Sequence, residues 1–120
     1  MWRAAMVGLA GAAGAMARYG VNRAVGYRAF PWATLSINVA GSFVLGMVLA
    51  GPGTRWSTTV TTAVGVGFLG AFTTFSTFTY ETIDLVRADR TVIAVAYVMS
   101  SLVLGLAAAA VGYVVGRQAA

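Results

Sequence analysis

The sequence predicts an all-α membrane protein with four transmembrane helices, on three observations. Hydrophobic residues make up 59% of the 120 positions and charged residues only 9%, whereas a soluble domain carries about 25% charged residues. So few charges cannot cover a water-facing surface. Residues 29–54, 56–80 and 91–116 hold no charge at all, and each interval accommodates the roughly 20 apolar residues that a helix needs to cross a bilayer. Short hinges separate them, among them Gly51-Pro52-Gly53, a plain helix stop. The spans are expected at about 4–25, 32–50, 57–81 and 91–116, in a single domain.

Composition excludes several chemistries. All eight basic residues are arginines, placed singly along the chain despite the +5 net charge. They read as helix-end markers, and no nucleic-acid partner is expected. There is no cysteine and no histidine, so disulfides and thiolate or imidazole metal sites are out. Three carboxylates, none at a ligand spacing, leave no transition-metal chemistry.

The first span starts after Arg3. Its apolar run and Ala15-Met16-Ala17 resemble a signal-peptide cleavage site, but the run continues through Arg18 and Tyr19 towards residue 25, as a spanning helix would. Arg18 lies near its end. A cation there either snorkels to the headgroups or stands at a vestibule that draws in anions. The pairs Gly8/Ala12, Gly11/Ala15 and, in the last span, Gly112/Gly116 allow close helix approach.

The second span carries Asn38 mid-helix, with Ser42 one turn on. Its amide either packs against a partner helix or lines a wet cavity, since its donors and acceptor need satisfying.

The third span is the odd one. Gly65, Gly67 and Gly70 precede Thr73, Thr74, Ser76, Thr77 and Thr79, interleaved with Phe72, Phe75 and Phe78. An open strand cannot persist in lipid, so the stretch is a helix or a broken helix buried in protein. As a straight helix, residues 56–80 would run about 37 Å at 1.5 Å per residue, longer than the roughly 30 Å core. The glycines make a break affordable near the middle. Phe75 and Phe78 share a face, as do Thr74 and Thr77. Beyond the break the inventory is hydroxyl donors and ring edges, which carry partial positive charge. That set suits a small anion held by many weak donors, the condition for conduction. Glu81 and Asp84 close the span, and are expected to pair with Arg18, Arg87 or Arg90 or to cap a terminus.

In the fourth span Tyr97 and Ser101 share a face. Each hydroxyl either back-bonds to its own helix or joins a polar track facing the third span. Four spans put both termini on one side, with Arg3, Arg55 and Arg117; the opposite side carries Arg23, Arg28, Arg87 and Arg90, and Arg18 if it faces that way. So even a distribution fixes orientation poorly. The chain can insert both ways and pair antiparallel with itself.

These motifs resemble the Fluc (CrcB) family of fluoride channels. The likeness covers nearly the whole chain and rests on residues 14–19 (GAMARY), 34–43 (TLSINVAGSF) and 67–78 (GFLGAFTTFSTF) followed by Glu81. It implies an antiparallel dual-topology homodimer with two fluoride pores in the inner (plasma) membrane. Phe75 and Phe78 would line the pores edge-on, Asn38 would supply an amide donor, and Thr77, Tyr97 and Ser101 would form the hydroxyl track. Arg18 would sit near the vestibule. A structural sodium ion on the dimer axis would be held by the backbone carbonyls of Gly70 and Thr73 from both subunits. Ala71 replaces the usual second glycine of the break, and Gly105 stands where many members carry a hydroxyl. The implied activity is passive export of fluoride, which lowers its toxicity and involves no catalysis. Two other readings compete: a small multidrug-resistance-type proton-coupled exporter, which needs a membrane-embedded carboxylate, and a non-transporting membrane assembly subunit.

Overall fold

The computed structural model describes residues Met1–Ala120, all in helices or short turns. Helix α1 spans Trp2–Val25 and stops at Gly26, whose φ of 70° lies in the left-handed region. Helix α2, Trp32–Ala50, begins after Pro31 and ends at Gly51 before Pro52, which lacks the N–H needed to continue. A single 3₁₀ turn, Pro52–Thr54, leads to Ser57, whose hydroxyl accepts from the Val60 N–H and caps α3 (residues 58–72). Helix α4 is Phe75–Arg87 and α5 is Thr91–Gln118. The end of α4 is a Schellman motif: the Arg90 N–H reaches the Leu85 carbonyl and the Asp89 N–H that of Val86, with Asp89 at φ 60°.

Three helical segments are long and apolar enough to cross a membrane: Trp32–Ala50, Thr58–Arg87 and Thr91–Gln118. The first expected span has the length, 24 residues. Its alanines, glycines and arginines leave it less apolar than the others. The protein is an all-helical membrane protein, and its surface agrees: only 17 of the 120 residues are buried, so most large apolar side chains point outward. Trp2, Trp32, Trp56 and Tyr113 are all exposed.

Glycine sets the two closest crossings. α2 and α5 form the most extensive pair, with Gly112 and Gly116 lying against the carbonyls of Phe43 and Met47. α1 runs along α3, with Gly14 on the Phe68 carbonyl and Gly67 on that of Val7. Gly8, expected as half of a packing pair, meets nothing within 4 Å. The small buried core sits under the loop that joins α1 to α2, around Leu35, Leu85, Ala94 and Tyr97, and Phe78 packs against it.

Candidate functional site

The glycines of the third span do not themselves interrupt it, contrary to the sequence expectation. The chain stays helical through Gly65, Gly67 and Gly70, widened to π-helix over Ala63–Leu69, with the Gly70 N–H reaching the Gly65 carbonyl. The glycines instead let α1 approach: a side chain at Gly67 would meet Val7 and Ala10. Helical geometry ends later, at Thr73 (φ −79°, ψ 158°) and Thr74 (φ −151°, ψ 115°).

The interruption is held from outside its own helix. In an unbroken α-helix the Thr74 N–H would close on the Gly70 carbonyl. Here it donates to Asn38 Oδ1 at 2.8 Å, and Asn38 Nδ2 donates to the Thr74 carbonyl at 3.1 Å. One side-chain amide thus satisfies both backbone groups of one residue, and those partners fix which way the amide points. The Thr73 N–H and hydroxyl both donate to the Leu69 carbonyl, each at 3.0 Å. Thr74 then starts α4 as its N-cap, with Oγ1 accepting from the Thr77 N–H and donating to the Thr77 hydroxyl. Gly41 makes room for this on α2, since a Cβ there would collide with Thr73 Cγ2. Arg18, half-buried, donates from Nε to the Ala71 carbonyl at 3.1 Å.

Beside the interruption lies a cavity of about 320 Å³. It brings together Asn38, Phe75, Phe78, Ser101, Gly70 and Thr73 of the expected site residues, with Ser42 and Gly105. No charged side chain lines it. Ser101 lines it, with a hydroxyl that is buried and without a partner, and Asn38 keeps one N–H beyond its bond to Thr74. Phe75 and Phe78 stand on one face with ring centres 5.8 Å apart and planes tilted by 50°. Phe75 is 76% exposed.

Thr77, Tyr97 and Arg18 lie off this cavity. Thr77 is spent on the Thr74 cap. Tyr97, wholly buried, sends its hydroxyl to Glu81 Oε1 at 2.9 Å. Glu81 therefore answers a phenol rather than an arginine, and it sits inside α4, which runs on to Arg87. Phe78 packs on Tyr97 at 5.1 Å, Tyr97 on Phe30 at 5.5 Å, and Phe30 on Trp32 at 4.6 Å. Sequence reasoning missed Gly41, the Ala71 carbonyl as Arg18's partner, and Thr34, whose buried hydroxyl lies beside the Tyr97 phenol without a well-formed hydrogen bond. Only the SINVAG context around Asn38 hinted at Gly41.

No three acidic, histidine or cysteine side chains converge on a metal position. The candidate cation ligands are backbone oxygens. The Thr73 carbonyl accepts no hydrogen bond in the chain, and the Gly70 carbonyl has lost its helical donor to Asn38. Unpaired carbonyl oxygens suit a hard cation.

Residues 5–113 match the family described as CrcB-like protein, Camphor Resistance (CrcB). The chain belongs to the CrcB family. It is 44% identical over 110 residues to the fluoride-specific ion channel FluC 2 of Moorella thermoacetica, covering 89% of this chain and 90% of that protein. The fluoride-specific ion channel FluC of Magnetococcus marinus is 45% identical over 118 residues, covering 94% and 96%. FluC 2 of Listeria innocua is 41% identical over 102 residues, covering 83% and 79%.

Proposed function

We propose that this chain is a fluoride-selective channel that lets cytoplasmic fluoride leave passively, down its electrochemical gradient, and so lowers its toxicity. The observation that carries this is the uncharged cavity beside Thr73 and Thr74. Its lining brings together the Ser101 side chain, the Asn38 amide with its spare N–H, and the rings of Phe75 and Phe78, whose edges would face the anion in this reading. Fluoride is small and strongly hydrated. Replacing its water takes several donors, none strong enough to trap it, and a multi-site path of weak donors meets that requirement. A fixed cation in the path would bind the anion too tightly, and a carboxylate would repel it. The close relatives are named as fluoride channels. Transport forms and breaks no covalent bond, and the protein is a channel rather than an enzyme.

The pore residues in this reading are Asn38, Phe75, Phe78 and Ser101; Thr77 and Tyr97, expected in the hydroxyl track, act from behind the wall, Thr77 through the Thr74 cap and Tyr97 through its packing on Phe78. Arg18 keeps a positive charge beside the pore. The functional unit is an antiparallel homodimer of four-span, dual-topology subunits in the inner membrane, each with its third span broken at Thr73–Thr74. The nearly balanced arginines favour it, as does the exposure of Phe75, a pore ring that needs a second wall. A sodium ion fits the Gly70 and Thr73 carbonyls. Two oxygens from one chain are too few, so both copies would contribute. When bound, it would supply a positive charge that offsets the unpaired carbonyls. The exporter reading loses ground because the carboxylate closest to the cavity residues, Glu81, is engaged by Tyr97.

The test is fluoride efflux from liposomes holding the purified protein, read with a fluoride electrode, with valinomycin to clamp the potential and chloride as control. Rapid valinomycin-dependent release of fluoride without chloride is expected. Absence of release from folded protein rejects the channel.

A further inference from the structure

Arg18 is the one basic side chain tied to the interrupted span, and its bond does something no vestibule charge would do. Gly11, Gly14 and Arg18, at i, i+3 and i+7, form one stripe of α1. A Cβ at Gly11 would sit 3.6 Å from the Gly67 carbonyl and 3.9 Å from Ala71 Cβ, and one at Gly14 would strike the Phe68 carbonyl. The stripe thus lays α1 directly on α3 and delivers Arg18 to the last turn of α3, where Nε donates to Ala71 at 3.1 Å across 53 residues of chain. The last carbonyls of a helix lack partners and carry partial negative charge. Arg18 takes one of them. Asn38 holds the other side of the gap through Thr74.

We infer that Arg18 is a positioning residue: it clamps the end of α3 through Ala71 and leaves the Gly70 and Thr73 carbonyls as the pair available to a cation. The interruption is then gripped from two helices, by Arg18 of α1 before the gap and Asn38 of α2 after it. The clamp needs a donor at Nε. The charge itself is secondary.

Two substitutions separate donor from charge. Arg18→Gln places Nε2 at the position of Arg Nε and removes the charge. Arg18→Met keeps the stem and removes both. The first readout is hydrogen exchange at the Thr73 and Thr74 amides, in detergent-purified full-length protein. Exchange in Arg18→Gln should stay within about twofold of the parent, and in Arg18→Met it should be at least about fivefold faster, the scale of one ordinary hydrogen bond. Failure of Arg18→Met to fold while Arg18→Gln folds counts the same way. Equal behaviour of the two variants overturns the inference.

The second readout is the sodium concentration that half-saturates the rise in melting temperature, and it rests on the cation reading above. Arg18→Met should need at least tenfold more sodium, and Arg18→Gln about the parent's amount. A lower sodium requirement in Arg18→Met would assign Arg18 a purely repulsive role and overturn the clamp. If the parent shows no response to sodium, the cation reading fails alone, and the exchange rates still decide the clamp.

Discussion

Replacing Asn38 by leucine is the sharpest test of how the third span is held. Leucine keeps the branching at Cγ and is well suited to a bilayer, although its two methyl groups are bulkier than the amide oxygen and nitrogen they replace. It removes the one group that satisfies both Thr74 backbone atoms, at 2.8 and 3.1 Å. Each buried group left without a partner costs about 1–3 kcal/mol, so the ceiling is about 6 kcal/mol for the pair. Thr74 is only half-buried. Water and repacking recover part, which places the expected loss at about 2–4 kcal/mol, within the range for a broken buried hydrogen-bond network. Reversible unfolding in mixed micelles of mild detergent and dodecyl sulfate, followed by tryptophan fluorescence, measures it directly. A loss below about 0.5 kcal/mol, the level of an ordinary surface substitution, would mean that the Thr73–Thr74 conformation is intrinsic to the third span and that Asn38 is a bystander.

Gly41→Ala should destabilise the protein by about 1–3 kcal/mol through collision with Thr73 Cγ2; adding Thr73→Ser, which removes that methyl and keeps the hydroxyl bonded to Leu69, should recover most of the loss in a thermal-unfolding double-mutant cycle. Gly105→Ser meets open space, since nothing lies within 4 Å of a Cβ there; it should leave the melting temperature unchanged and raise liposome fluoride efflux, and a fall in efflux would mean that the cavity needs width at Gly105 more than another donor. Thr34→Val replaces a hydroxyl that is 1% exposed and lies beside the Tyr97 phenol without a well-formed hydrogen bond with its apolar isostere; the melting temperature should hold or rise, because a poorly satisfied buried donor costs more than its absence, and a clear fall would mean that the Thr34–Tyr97 contact is a true hydrogen bond.

What could be read from the sequence was local. The charge-free interval around Asn38 and its flanking prolines mark α2 at Trp32–Ala50, and helical spacing alone puts Phe75 and Phe78 on one face. The hydroxyl-rich run after Gly70 marks the cavity region for the same reason, that such residues in lipid need a purpose. What escaped was tertiary. Glycine signals both a break and a close approach, and only the position of α1 against Gly67 tells them apart. Arg18 bonding Ala71 across 53 residues leaves no trace in either segment. Glu81 was read against the nearest opposite charges, but a buried phenol from α5 reached it first. In low-dielectric surroundings a phenol bonded to a carboxylate satisfies two groups without requiring a second buried charge.

The π-helical stretch at Ala63–Leu69 also has a meaning for rotational phase. An α-helix turns about 100° per residue, whereas i→i+5 bonds such as Gly70 to Gly65 take up an additional residue in the ladder. The turns before and after it are therefore out of step with a single continuous helix. Closing the same residues into an α-helical ladder would swing Thr58–Thr62 about the axis by about 100° relative to the gap, whereas deleting one residue within the stretch would restore the α-helix and leave both flanks in phase. The length of this stretch, and not only its glycines, sets which side chains of the third span face the cavity.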